Sequence, residues 1–389
     1  MTIKYMVTGI GAREIEKGST VVYEKWIKRK ENIRSGSLVE LETSNGVKAC
    51  GLWDGAGHVG ARILYYGSCS SNDPIEAIES NLETAFRLRN KVGLGDPRTG
   101  FRLINSDGDL MSGLIIDVYN DVAVIQSSSL GFDRYLRMIA AWLTREVGVN
   151  SVFEKSVQRS RRDIGLKPRR RWLLGGKRET VIEEYGVRFI VDVEEGQKTG
   201  FFLDQRANRR EFGSYAGKED SVLDVFAYTG GFGLHAALNG ASKLVFIEED
   251  PSAVKILKRN LELNGFSKYE IIESSVWHVI NKVKGGYDLV SIDPPAFIQE
   301  NSKTSIEKGV KAYREIYKYG LERTGKDGII FLSSCSYFLT QEMFVQLIMK
   351  LASKLNARMI GSVRKADRDH MVNTASYLEY LKGAFIHLS

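Results

Sequence analysis

The chain reads as an α/β protein with a doubly wound parallel sheet in its C-terminal half and two smaller modules ahead of it. The main observation lies beyond about Tyr185. Four runs there, VLDVFAY (222–228), LVFIEED (244–250), LVSIDPP (289–295) and IIFLSSC (329–335), are each apolar throughout and each end in a polar or glycine-rich loop. Strands buried on both faces have this pattern, and helical segments stand between them. The second observation is the run of short alternating stretches in residues 1–72: VELETS (39–44), VKACGLW (47–53) and ARILYY (61–66), punctuated by Gly and Asn. They predict a small twisted sheet or β-barrel, with Trp26 and Trp53 in its core or at its rim. The third is residues 73–182, which read as a small α+β unit. A helix over 74–92 lines up Ile75, Ile78, Leu82 and Phe86 on one face and stops at Gly93 and Gly95. FRLINSD and LIIDVYNDVAVIQ follow as strands, the latter broken by the Asn120-Asp121 turn, and a helix is predicted from about Arg134 to Glu146.

Composition narrows the class of function. With 43% hydrophobic and 26% charged residues the chain is ordinary globular protein. No apolar run reaches the roughly 20 residues that span a bilayer, and the N-terminus lacks a continuous apolar signal region, so no membrane partner and a cytoplasmic location are expected. The net charge is +7, but residues 155–178 contain ten Lys or Arg against one acid, Asp163. A polyanion-binding surface is the expectation for such a segment, with Arg169, Arg170 and Arg171 at its centre, because each cation set against a phosphate releases counterions. The three cysteines, Cys50, Cys69 and Cys335, form no CxxC pair and are odd in number. A reducing compartment is the reading, with no zinc or other metal site, Cys50 and Cys69 inert, and Cys335 acting alone if it acts.

The chemistry concentrates at the ends of the four apolar strands, where open α/β sheets bind ligands. After the first, Thr229, Gly230, Gly231 and Gly233 stand directly before a helix, LHAALNG, and let backbone approach a ligand at a helix N-terminus. The second strand ends in Glu248, about 20 residues on, where an acid can hold both hydroxyls of a ribose. Gly231-Phe-Gly233-Leu-His-Ala236 also spells a dinucleotide fingerprint. Asp224 within the first strand, suited to an amino-acid ammonium, and Asp293-Pro294-Pro295 tilt the reading from NAD to S-adenosylmethionine. In the latter motif two prolines stiffen a platform from which Asp293 and Phe297 can meet a flipped base, the ring stacking and the carboxylate bonding the base edge. The last strand delivers Cys335 to the same edge. A thiolate added to C6 of cytosine makes C5 enamine-like and able to take a methyl group, a difficult step divided in two. Before the first strand, Lys198, Phe202, Asp204, Gln205 and Arg206 crowd polar groups into a segment that can close the cofactor pocket.

These residues carry a resemblance. TGFFLDQR (199–206), AYTGGFG (227–233), IDPPAF (292–297), SCS (334–336) and RLINSDGDLMSGLIIDVYND (102–121) resemble the RlmI-type ribosomal RNA large-subunit cytosine-C5 methyltransferases over nearly the whole chain. The resemblance implies a PUA-like RNA-binding domain (1–72), a central α+β domain (73–182) and a class I Rossmann-like methyltransferase domain (183–389). It implies cofactor contacts from Lys198, Phe202, Gln205, Arg206, Asp224, Thr229, Gly231 and Glu248, with Asp293 between cofactor and base and Cys335 as nucleophile. Large-subunit ribosomal RNA is the implied partner, and the sequence leaves a homodimer open. A nitrogen methyltransferase on RNA and a non-catalytic ribosome-assembly factor are the alternatives that the residues by themselves permit.

Overall fold

The computed structural model describes residues 3–28, 32–279 and 282–389. The chain divides into two compact units: residues 1–182, 191–203 and 368–378 form the first, and 183–190, 204–367 and 379–389 the second.

In the first unit, strands β1 (Ile3–Val7), β2 (Val21–Tyr23), β3 (Leu38–Thr43), β4 (Lys48–Ala56) and β5 (Val59–Tyr66) form one sheet in the order β1-β3-β4-β5-β2. Helix α1 (Ile10–Glu16), which the alternating pattern did not announce, follows β1. Trp53 is buried in the core of this sheet with Val7, Leu41 and Ile63, and Trp26 packs partly buried against it. The three strands expected here are β3, β4 and β5, but the reading of Cys50 and Cys69 as inert thiols is corrected. Cys50 and Cys69 form a disulfide with 5.0 Å between Cα atoms. The β4–β5 pairing places Cys50 opposite Tyr65, so the return strand carries Cys69 back to a residue that is distant only along the sequence.

A second five-stranded sheet, in the order β10-β9-β8-β7-β6, is built from β6 (Phe101–Asn105), β7 (Leu114–Tyr119), β8 (Val122–Ser127), β9 (Ser151–Ser156) and β10 (Arg169–Leu174). The predicted turn joins β7 to β8, with Asn120 at φ 52°, a left-handed conformation that Asn tolerates. Helix α2 (Pro74–Lys91) starts where Asp73 accepts a hydrogen bond from Ile75 N and Pro74 takes the first helical position. Its face is one residue narrower than predicted: Ile78 and Leu82 are buried, Phe86 packs partly buried, and Ile75 is exposed in the first turn. The helix expected over 134–146 is α4 (Leu136–Trp142) continued by a π turn over Leu143–Val147, and a single turn, α3 (Leu130–Asp133), precedes it. Short α5 (Arg159–Asp163) follows β9.

Polar residues of the 102–121 stretch are spent on tying loops together. Arg102 bonds Asp117 in bidentate fashion at 2.8 and 2.9 Å, and Thr199 donates to the same Asp117 at 2.6 Å. Asp369 accepts from Arg102 N at 2.9 Å, and its own carbonyl accepts from Arg89 at 2.8 Å. His370 sits at 2.7 Å from Asp369, both buried.

Strands β11 (Glu179–Glu184) and β12 (Val187–Asp192) form a two-stranded ribbon. In the second unit β13 (Ser221–Val225), β14 (Lys243–Glu248), β15 (Tyr269–Glu273), β16 (Tyr287–Ile292), β17 (Thr324–Ser334), β18 (Ala357–Arg364) and β19 (Lys382–Leu388) make a seven-stranded sheet in the order β15-β14-β13-β16-β17-β19-β18. It is parallel except for β19, which runs antiparallel between β17 and β18. Among the described residues five helices of more than one turn accompany it: α6 (Arg206–Ser214), α7 (Gly231–Leu238), α8 (Pro251–Leu263), and, after the single turn α9 (Val276–Val279), α10 (Lys303–Arg323) and α11 (Gln341–Ala352). Strand order reverses between β13 and β16, since the chain goes outward one way through β14 and β15 and the other way through β17. This switch point opens a crevice beyond the carboxyl ends. No helix of the described residues is long and apolar enough to cross a membrane.

Candidate active site

The second unit gathers Gln205, Arg206, Asp224, Thr229, Gly231, Glu248, Asp293, Phe297 and Cys335, mostly on strand tips and the loops after them. Lys198, Phe202 and the Arg169–Arg171 run fall in the first unit.

The glycine loop leaves β13 through Phe226 and Tyr228, both at positive φ (62° and 50°), and enters α7 at Gly230, φ 88°. Such backbone is costly for side-chain-bearing residues and marks a shape imposed from outside. Part of the imposition is Asp224. One of its oxygens accepts from Gly233 N at 2.9 Å and the other from Ser291 Oγ at 2.6 Å. It is 1% exposed, and burial pushes its carboxyl up to about 7, with Asp293 and Glu248 adding to the rise against the two hydrogen bonds. Both oxygens hold the loop to the sheet, so Asp224 shapes the backbone against which a cofactor would rest. A β-carbon on Gly231 would stand 2.5 Å from Arg209 Cδ, so a side chain there would have to displace the buried Arg209 from its place beside Glu184.

Glu248 accepts from Tyr228 N at 2.7 Å and from Glu249 N and Asp250 N at 2.9 Å each. Burial raises its carboxyl above the ordinary value despite these bonds. The Thr229 hydroxyl is buried without a hydrogen-bond partner among the described residues. An orphaned donor of this kind costs about 1–3 kcal/mol unless something polar meets it. Glycine backbone, a strand-end acid and this hydroxyl fit a polar nucleoside-type cofactor.

Gln205 and Arg206 make hydrogen bonds within the protein. Gln205 donates to Asp293 Oδ1 at 2.8 Å and accepts from Asn208 at 2.6 Å. Arg206 bonds Asp367 at 2.7 Å with both side chains buried. These bonds fix the orientation of their neighbours. Asp293 also accepts from Ser333 Oγ, so a β17 side chain and an α6-proximal amide fix the carboxylate, which stays partly exposed.

Cys335 follows β17 directly, beside the β16 tip, since Ile292 and Leu332 are paired. It lies outside any disulfide and is partly exposed, whereas Ser333, Ser334 and Ser336 around it are buried. Two tyrosines of α10, absent from the sequence reading, bind the loops. Tyr313 OH lies 2.7 Å from Ser336 Oγ and donates to Pro295 O at 3.4 Å; Tyr317 OH donates to Ser333 O at 2.7 Å. Burial first, then the neighbouring Cys335, pushes Tyr313 up to about 12, and burial holds Tyr317 well above the ordinary phenol value. Their i,i+4 spacing between the Asp-Pro-Pro and Ser-Cys-Ser segments was the available signal. The Phe297 ring lies 4.8 Å from Tyr313 and 6.1 Å from Trp277, centroid to centroid.

Residues 151–329 match the S-adenosylmethionine-dependent methyltransferase family. A Methanocaldococcus jannaschii protein, provisionally named a ribosomal RNA large subunit methyltransferase, is 33% identical over 397 residues, 99% of each chain. Ribosomal RNA large subunit methyltransferase I of Aeromonas salmonicida is 31% identical over 379 residues, 94% of each. The chain belongs to the ribosomal RNA large subunit methyltransferase I family. Family membership makes S-adenosylmethionine the cofactor. A solved Streptococcus mutans structure, provisionally described as a SAM-dependent methyltransferase, shares the fold at TM-score 0.78 and 21% identity with full coverage of both chains. For this family member the Rossmann-like reading of the C-terminal sheet thus stands.

In the first unit, Lys198 Nζ lies over the Phe202 ring at 4.4 Å from its centroid, and Lys198 itself has φ 51°. The basic segment is less of a free positive surface than its composition suggested. Arg169 pairs with Asp133 at 2.9 Å, Arg170 with Glu195 at 3.1 Å, Arg171 with Glu154 at 2.6 Å and Arg178 with Asp192 at 2.6 Å. Arg161 is buried against Asp133, and Lys155 is buried on carbonyls of Val193 and Gly196. The acids come from other elements, so a local sequence count could not see them. Among the described residues of this stretch, Arg162 and Lys167 are exposed and make no ion pair with a carboxylate.

Proposed function

We propose that this enzyme forms 5-methylcytosine in large-subunit ribosomal RNA through a covalent Cys335 adduct. The observation that carries the reading is the juxtaposition of Asp293 and Cys335: two partly exposed reactive groups on the tips of paired parallel strands, each backed by buried hydroxyls. Thiolate Sγ adds to C6 of a cytosine while Asp293 supports the proton at N3. S-adenosylmethionine supplies an electrophilic methyl on its sulfonium, which the enamine-like C5 can take up. The C5 proton then leaves to a base, the Sγ–C6 bond breaks, and the thiolate is restored. Gln205 and Ser333 keep the carboxylate in one orientation through this cycle, and Phe297 offers a stacking face to an extruded base. Thr229, Gly231 and Glu248 are the proposed cofactor contacts, with Lys198 and Phe202 carried over from the family motif.

The relatives' names supply the substrate class, ribosomal RNA, and with it a cytoplasmic setting. Residues 1–72 are read as the PUA-like RNA-binding domain, and the exposed cations of the 155–178 segment as phosphate contacts. Cys335→Ala should abolish 5-methylcytosine in nucleoside mass spectrometry of rRNA while calorimetric binding of S-adenosylmethionine stays near wild type. Undiminished 5-methylcytosine would overturn the nucleophile; a methylated nitrogen in its place would identify a different target atom.

A further inference from the structure

We infer that Lys382 is the counter-charge that holds Cys335 as a thiolate, a role that rests on the covalent reading above. Lys382 begins β19, the antiparallel strand next to β17, and the register sets it opposite Ser334. Its Nζ donates to Ser336 O at 2.7 Å. The lysine thus spans Cys335, paired with the residue before it and hydrogen-bonded to the residue after it. It is 4% exposed.

A buried ammonium is expensive unless an anion faces it. Among the described residues Lys382 makes no ion pair with a carboxylate. Burial lowers its value to about 8, and the group working in the opposite direction is Cys335. The ionisable groups around this corner are Cys335 on the β17 tip, Asp293 on the β16 tip, and Tyr313 and Tyr317 on α10. Both phenols are pushed well above the ordinary value and stay neutral, while Gln205 and Ser333 engage Asp293. Asp293 follows β16, two strands from β19, whereas Cys335 follows β17, the strand paired with β19, so the thiolate is the anion that the geometry gives the ammonium. A nearby cation is the usual device by which a thiol is held ionised near neutral pH. The thiol proton leaves to solvent before catalysis, and the sulfur departs from C6 as a thiolate beside the same ammonium, so Lys382 stays protonated throughout. It is a positioning residue and touches neither base nor cofactor.

The test is the pH dependence of iodoacetamide alkylation at Cys335, read by peptide mass spectrometry on the full-length protein with the Cys50–Cys69 bond intact. Wild type should show a midpoint below the ordinary thiol value of about 8.5. Lys382→Met should raise it by about one unit or more, roughly a tenfold loss of alkylation rate at neutral pH, and Lys382→Arg should keep it low. A wild-type midpoint at or above the ordinary value overturns the inference without any variant, and so does a folded Lys382→Met protein with an unchanged profile. Alkylation uses neither RNA nor methyl donor. A failure of the cytosine reading therefore appears in the nucleoside products, and a failure of the ion pair appears in the thiol profile.

Discussion

Asp224→Asn should make the protein progressively more stable than wild type as pH rises. In the folded state burial holds the Asp224 carboxyl at about 7, and in the unfolded chain it returns to 3.8. The folded protein therefore binds the proton more tightly, and wild-type stability falls as pH rises from the unfolded value through the folded one. Three units at about 1.4 kcal/mol each give roughly 4 kcal/mol between pH 4 and 8. Asparagine keeps an acceptor for Gly233 N and offers its amide to Ser291 without ever carrying charge. Near pH 4 it should be equal to wild type or slightly less stable, because the hydrogen bond at 2.6 Å from Ser291 is remade with a different donor. Urea unfolding of both proteins at half-unit pH steps, without cofactor, measures this. Titrating groups that do not feel the Asp224 charge cancel in the difference, which should climb by several kcal/mol and level off near pH 8. A difference that stays flat across this range would refute the claim that Asp224 is buried without an internal counter-charge.

Arg209→Met removes the partner, at 2.7 Å, of Glu184, whose side chain is fully buried. Burial alone would raise Glu184, but Arg209 and His235 more than offset it and hold the carboxyl down to about 2. That stabilisation is present above pH 4.5 and is lost as pH falls through 2. The variant should lose about 3–5 kcal/mol at neutral pH in denaturant unfolding and unfold at a higher pH on acid titration. For RNA, Arg162→Ala with Lys167→Ala should lower the slope of log affinity against log salt by roughly 1–2, measured by filter binding over a KCl series. Neutralising Arg169, Arg170 and Arg171, already paired with acids, should change that slope less.

The convergence of Asp293 and Cys335 was legible because the sheet order follows from the grammar of the sequence: apolar runs alternating with helices put successive strand ends on one edge. Residues placed by pairing across long separations were not. Lys382 stands at a strand end with no motif around it, and only the antiparallel insertion of β19 brings it beside residues 334–336. The partners of Arg170, Arg171 and Arg178 are Glu195, Glu154 and Asp192, so the expected positive field is reduced by acids outside the counted stretch. Cys50 and Cys69 fail in the same way, since a spacing of 19 residues says nothing until the β4–β5 return is known. Asp224 carries a structural role that the sequence did not announce. Its burial and its bonds to Gly233 and Ser291 make it a brace of the glycine loop.

The division of the chain into interleaved segments also bears on how the protein is made. The first unit takes residues 191–203 and 368–378 from the far half of the chain, and these provide Thr199 for Asp117 and Asp369 for Arg102. A ribosome must therefore translate as far as Leu378 before the amino-terminal unit owns all of its parts. Neither unit can be excised as one continuous fragment.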